Sequence, residues 1–164
     1  MRVERATVDD AEEILSLQKL AYQSEAEIYG DFTIPPLTQT LEEIKKDFES
    51  QIFLKAVTDG RIMGSVRGFV REGTCYIGRL IVHPDFQNRG IGTHLMNRIE
   101  KDFKEAKRFE IFTGHKSERN LYLYEKLGYK RFKTVTASEK LTIVYLEKRF
   151  LKKSRNLCNR ESER

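Results

Sequence analysis

The sequence predicts an α/β (α+β) domain built on a mixed, mostly antiparallel sheet, and three observations predict it. Apolar residues recur at helical spacing up to about residue 49, and the period switches to two from Ile52. Helical and strand patterns then alternate from Gly90 onward, so a strand, a helix and a further strand follow one another, which implies one parallel pairing. At 164 residues the chain suits a single domain that buries roughly 70% of the surface its unfolded form exposes.

Taken in order, Thr7-Val8-Asp9-Asp10 resembles a capping box, and Ala11, Ile14, Leu17 and Ala21 follow on one face, predicting a helix from about Asp9 to Tyr22. Pro35 and Pro36 make residues 30–37 the most irregular stretch, after which Thr40 caps a second helix to about Glu49. Segments 53–58, 62–71 and 74–82 alternate and are joined by Asp59-Gly60 and Glu72-Gly73, the signature of a three-strand meander. Between Gly90 and Lys107, Ile91, Leu95, Ile99 and Phe103 line one helical face, with a strand predicted over Phe109 to Thr113. A short helix over 120–127, ended by Gly128, and strands over 129–135 and 141–147 complete the domain.

Charge and composition exclude several classes. The 30 Lys+Arg and 25 Asp+Glu leave +5, but Lys152, Lys153, Arg155, Arg160 and Arg164 outweigh Glu161 and Glu163 by +3, so residues 1–149 are close to balanced. Residues 150–164 therefore read as a basic polar tail on a domain of residues 1–149, and nucleic acid is not an expected partner. Cys75 and Cys158 form no paired motif, and His83, His94 and His115 have no metal-ligand spacing, so neither a disulfide scaffold nor a metal site is expected. Without an apolar run of roughly 18 residues or a signal-like amino terminus, no membrane is expected and a cytoplasmic location is.

The chemistry concentrates in Gln87-Asn88-Arg89-Gly90-Ile91-Gly92-Thr93, which follows a strand and opens a helix. Free amides at a helix start, with glycines that let a ligand approach the backbone, form a cradle for phosphates. A P-loop is excluded because no Gly-Lys-Ser/Thr is present, and a dinucleotide fingerprint because its third glycine would fall at Leu95.

Residues 80–92, Leu-Ile-Val-His-Pro-Asp-Phe-Gln-Asn-Arg-Gly-Ile-Gly, together with 123–129, Leu-Tyr-Glu-Lys-Leu-Gly-Tyr, resemble two hallmarks of the GNAT superfamily of N-acetyltransferases, and one long helix and one strand separate them as in that family. The resemblance implies six to seven strands splayed between the fourth and fifth, about four helices on the faces, and acetyl-CoA in the gap. It further implies that amides from Gln87, Asn88, Arg89, Gly90, Ile91, Gly92 and Thr93 hold the pyrophosphate while Leu80, Ile81 and Val82 pair with the pantetheine arm. Tyr124 would protonate the leaving thiolate, whereas the neighbouring Tyr122 and Tyr129 are decoys that read as plain core tyrosines. The family often places a CoA-contacting Asn seven residues before this Tyr; here Ser117 stands there and Asn120 four before, and either could contact CoA or cap the helix.

The general base is open at this point. The strand-five position that carries Glu in protein amino-terminal acetyltransferases is Phe112, with Glu110 on the same strand face. Glu25, Tyr29, Asp31 and Phe32, from the region bordering the acceptor side in this superfamily, are candidate substrate-binding residues; Glu25, Glu27 and Asp31 are also candidate bases. The need is real, since an amine of pKa about 10.4 is only about 0.04% neutral at pH 7. The expected activity is acetyl transfer from acetyl-CoA to a primary amine of a small molecule, in a ternary complex, by a monomer or homodimer; a protein or peptide acceptor, or a non-catalytic CoA-binding module, are the alternatives.

Overall fold

In a computed structural model of the chain, residues 1–150 are described; the expected tail, beyond Phe150, lies outside the described residues. Strand β1 (Arg2–Arg5) leads through a 3-10 turn at Val8–Asp10 into helices α1 (Ala11–Ala21), α2 (Gln23–Tyr29), α3 (Pro35–Thr38) and α4 (Leu41–Ser50). There follow β2 (Ile52–Thr58), β3 (Arg61–Arg71), β4 (Thr74–Val82), α5 (Ile91–Asp102), β5 (Arg108–Gly114), α6 (Glu118–Lys126), β6 (Lys130–Thr136) and β7 (Thr142–Arg149). The seven strands form one sheet in the order β1-β2-β3-β4-β5-β7-β6, antiparallel except for β4 beside β5.

The meander, the parallel pair and the long helix stand where the pattern places them. The differences have local causes. Helix α1 starts at Ala11 because Asp10 Oδ2 accepts the Thr7 N–H at 2.9 Å and closes the 3-10 turn first. The stretch read as irregular contains two short helices: Gly30 ends α2 in the left-handed region at φ 62°, and the two prolines occupy the first helical positions of α3, where they cost no hydrogen bond. Thr40 and Glu43 form the reciprocal capping box of α4, at 3.2 and 3.0 Å.

Successive residues of β2 feed two cores. Phe53 joins Ile14, Leu17, Ile44, Ile62 and Ile81 beneath α1 and α4, whereas Leu54 joins Val66, Ile77, Leu95, Ile99, Phe109, Leu121 and Leu146 on the α5 and α6 side. The feature that makes the site is the seam between β4 and β5. Their pairing covers Thr74 to Tyr76 against Arg108 to Glu110 and no further, so the strands part and the end of β4 faces a wedge.

Candidate active site

A cleft of about 580 Å³ opens in that wedge, lined by Leu80, Ile81 and Val82 from β4, by Gln87, Asn88, Gly90, Ile91, Gly92 and Thr93 from the following turn, by Tyr22 and Glu25 from the α1–α2 region, and by Ser117 and Asn120 from α6. All the sequence positions expected to meet one cofactor except Arg89 thus face one space. The cradle is built by the backbone. Asn88 at φ 62° and Gly90 at φ 82° are left-handed, no side chain caps α5, and the first amides of α5 precede the His94 N–H to Gly90 carbonyl bond of 3.0 Å. Amides so placed suit a phosphate-bearing group. The two glycines serve different ends: Gly90 allows the left-handed turn, whereas a Cβ on Gly92 would meet Leu123 Cδ2 at 3.2 Å, so Gly92 is what lets α5 approach α6. Arg89 is exposed outside the lining, its guanidinium 4.8 Å over the Phe86 ring.

Asn120 and Leu123 of α6 line the cleft, whereas Tyr124 of the same helix does not and is 2% exposed. Its hydroxyl makes no hydrogen bond among the described residues, yet is not among the sealed, unpartnered polar atoms, so it keeps a narrow opening. Burial, with smaller contributions from Tyr22 and Glu25, pushes its pKa up and holds the proton on the phenol. Of the two neighbouring tyrosines, Tyr129 is buried as expected and Tyr122 is not. Tyr122 is 70% exposed at the cleft, and the Tyr129 hydroxyl donates to Glu100 at 3.1 Å.

A relay that sequence reading does not find joins the two sides of the cleft. The Lys116 N–H donates to the Tyr29 hydroxyl at 2.9 Å, that hydroxyl lies 2.9 Å from Ser117 Oγ, and Ser117 Oγ donates to Glu25 Oε2 at 2.5 Å. Since the one proton of Ser117 goes to the carboxylate, Tyr29 donates to Ser117, and every donor in the run is used. The hydroxyl of Ser117 is therefore committed to Glu25, and it does not cap α6. Asn120 Nδ2 donates to Thr113 Oγ1 at 3.3 Å. Room for Tyr29 comes from Gly114, where a Cβ would overlap the Tyr29 hydroxyl.

Other candidate residues stand apart. Asp31 is half-buried and accepts from Thr33 Oγ1 at 2.6 Å and Thr33 N at 2.8 Å, bonds that lower its pKa, and neither it nor Phe32, 56% exposed, lines the cleft. Glu110 is held by Arg108 at 2.8 Å, and Phe112 is 55% exposed beside Tyr145. Among the described residues no group of His, Cys, Asp and Glu could hold a metal ion, and no helix is long and apolar enough to cross a membrane.

Comparison with known proteins places the fold. The acetyltransferase (GNAT) family pattern matches residues 12–129. The chain belongs to the GNAT family. Its sequence is 32% identical over 104 residues to Acetyltransferase ECA0875 of Pectobacterium atrosepticum, covering 60% of this chain and 72% of that protein. It is 30% identical over 133 residues to the UPF0157 protein YqkA of Bacillus subtilis, covering 81% of this chain and 38% of YqkA, so it spans well under half of that longer relative. Among solved GNAT structures, the PaiA N-acetyltransferase of Thermoplasma acidophilum in complex with coenzyme A superposes with a TM-score of 0.74 at 16% identity, covering 92% of this chain and 100% of that one. The ribosomal-protein-S18-alanine N-acetyltransferase of Escherichia coli gives 0.73 at 12% identity, covering 89% and 91%. The chain is thus a member of a family of acetyl-CoA-dependent acyltransferases, and the mixed, splayed sheet expected from its sequence is the one observed.

Proposed function

We propose that this protein transfers the acetyl group of acetyl-CoA to a primary amine of a small molecule, with Glu25 as the base and Tyr124 as the acid. The observation that carries the reading is that one cleft brings the phosphate cradle of residues 87–93 together with the Glu25 carboxylate, with Tyr124 next in the chain to the lining residue Leu123. Its volume of about 580 Å³ lies in the range of small-ligand sites.

Acetyl-CoA supplies an activated thioester carbonyl. The cradle amides, Asn88 and Gly90 being left-handed, hold its pyrophosphate, and the unpaired edge of β4 at Leu80 to Val82 offers main-chain groups to its arm. Ser117 fixes Glu25 Oε2 and leaves Oε1 to accept a proton from the amine. The amine nitrogen bonds to the carbonyl carbon as the carbon–sulfur bond breaks. The sulfur takes its proton from Tyr124, which burial keeps protonated, and the proton that Glu25 accepted returns through solvent to the phenolate, so the products are an N-acetyl amide and a free thiol with both residues restored.

Thiol release measured over a panel of amines tests the reading. Tyr124→Phe is expected to lower kcat about ten- to a few-hundred-fold with CoA affinity nearly intact, because only proton delivery is lost. Glu25→Gln is expected to cost most with strongly basic amines at pH 7 and less as the pH approaches the amine pKa. Undiminished kcat in both variants would overturn the assignment.

A further inference from the structure

Beside the cleft, on β4, lies a half-buried cation that no ion pair among the described residues answers. The register of β3 against β4 shifts between Ser65 and Arg67. Within this irregularity Arg79 adopts φ 50°, a left-handed conformation that costs a non-glycine residue on the order of 1 kcal/mol. Its Nη1 is the one buried side-chain nitrogen or oxygen without a hydrogen-bond partner among the described residues. None of the ion pairs among those residues includes it.

Its neighbour Arg67 shows what a satisfied guanidinium looks like in the same region. Arg67 is 4% exposed, bonded to Asp47 at 2.8 Å and to Gln18 at 2.6 Å, and stacked 4.4 Å over Phe53. Burial lowers its pKa to about 10, and the charge of Arg79 adds to that effect. Two cations so close, one of them unpaired, leave a positive potential that an anion would relieve.

That potential borders the end of the cleft away from the phosphate cradle, outside the lining itself. Arg79 immediately precedes Leu80, where the cleft lining begins, and the phosphate cradle is at the far end of the Leu80 to Thr93 run. Tyr22, which lines the cleft, is acted on by both charges: after burial, which raises its pKa, Arg79 lowers it and Glu25 raises it. A carboxylate on α2 and a guanidinium on β4 thus both act on one aromatic wall of the cleft, a complement to a molecule with a cationic amine and an anion.

We propose that the acceptor is a primary amine that also bears an anionic group, a carboxylate or a phosphate, with the amine at Glu25 and the anion on Arg79. This rests on the acetyl-transfer reading and narrows it to a substrate class. A plain diamine would bring its second positive charge toward two arginines. Arg79, as a specificity-determining residue, would spend its backbone strain on placing the guanidinium.

Calorimetry on the CoA-loaded protein tests this, with β-alanine and 2-aminoethyl phosphate as the two anionic arms and propylamine and 1,4-diaminobutane as controls. At least one anionic arm is expected to bind about tenfold or more tightly than propylamine, and the two arms tell carboxylate from phosphate. Arg79→Gln is expected to abolish that preference. Arg79→Gly does the same while relieving the left-handed backbone, which guards against a folding artefact, and Arg61→Gln, an equal loss of charge at an exposed turn, retains it. Propylamine or the diamine binding as tightly as both anionic arms, or a preference that survives Arg79→Gly, would overturn the proposal. Thiol release separates the two readings. Anion-selective binding without any release would sink acetyl transfer and leave the site, whereas release that is indifferent to the anion would leave acetyl transfer and sink the site.

Discussion

Gly114 shows how far one hydrogen atom reaches. A Cβ there would occupy the place of the Tyr29 hydroxyl, so Gly114→Ala must push Tyr29 away from Ser117 and Lys116. Ser117 then loses its donor but keeps its bond to Glu25, whose position becomes less defined. We expect kcat to fall about threefold to thirtyfold, with CoA affinity unchanged, because a positioning contact worth about 0.5–2 kcal/mol is lost. Tyr29→Phe should reproduce the effect without the clash, and unchanged kcat in both would remove the relay from the mechanism. The cradle residues and Tyr124 were legible in the sequence because glycines and a short motif mark them. The relay was not, since it joins residues 88 and 92 positions apart through a glycine that carries no chemistry of its own. Arg79 was equally invisible, its meaning depending on a bulge that only strand pairing reveals.

At the level of elements, the long periodic segments were readable and the short ones were not. Strand β1 has four residues and a single apolar side chain, Val3, while α2 buries Ala26 and Tyr29 alone; neither offers enough repeats to establish a period. The prolines of α3 mark a break in most contexts, and here they start a helix. Helix α5 carries the most testable element, its first turn. Gly92→Ala adds only the Cβ that meets Leu123, a flexible side chain that can give by a few tenths of an ångström. Gly92→Asp adds the same Cβ with a negative charge at the cradle. We therefore expect calorimetric affinity for CoA to drop modestly in the alanine variant and at least about tenfold further in the aspartate variant, the difference reporting the added carboxylate. Equal affinities in the two variants would place the pyrophosphate elsewhere.

Over the whole molecule, burial ties stability to alkaline pH. Cys75 has its thiol pushed by burial, and less by Glu100, from 9.0 to about 12, and burial also raises the Tyr124 and Tyr129 phenols. The folded chain thus keeps protons that the unfolded chain releases from about pH 9 upward. The stabilisation is complete below pH 9 and is lost progressively as the pH rises toward 12, at up to about 1.4 kcal/mol per pH unit for each group. The thermal midpoint should fall steadily from pH 9 to 11, less steeply between 9 and 10 in Cys75→Ala; a midpoint flat to pH 11 would contradict the burial of these groups. The seam of the sheet has a consequence of its own. Beyond Tyr76, β4 keeps its bonds to β3 but has lost β5, so half of its main-chain groups face the wedge. Deuterium should enter those amides within the fast phase of labelling, while the opposite-facing amides of the same strand lag behind. Adding CoA should slow uptake at Leu80 to Val82 and leave those amides of Phe109 to Thr113 that bond to β7 untouched. On this view the sheet is one strand short, and its ligand is timed by the solvent hydrogens it keeps out.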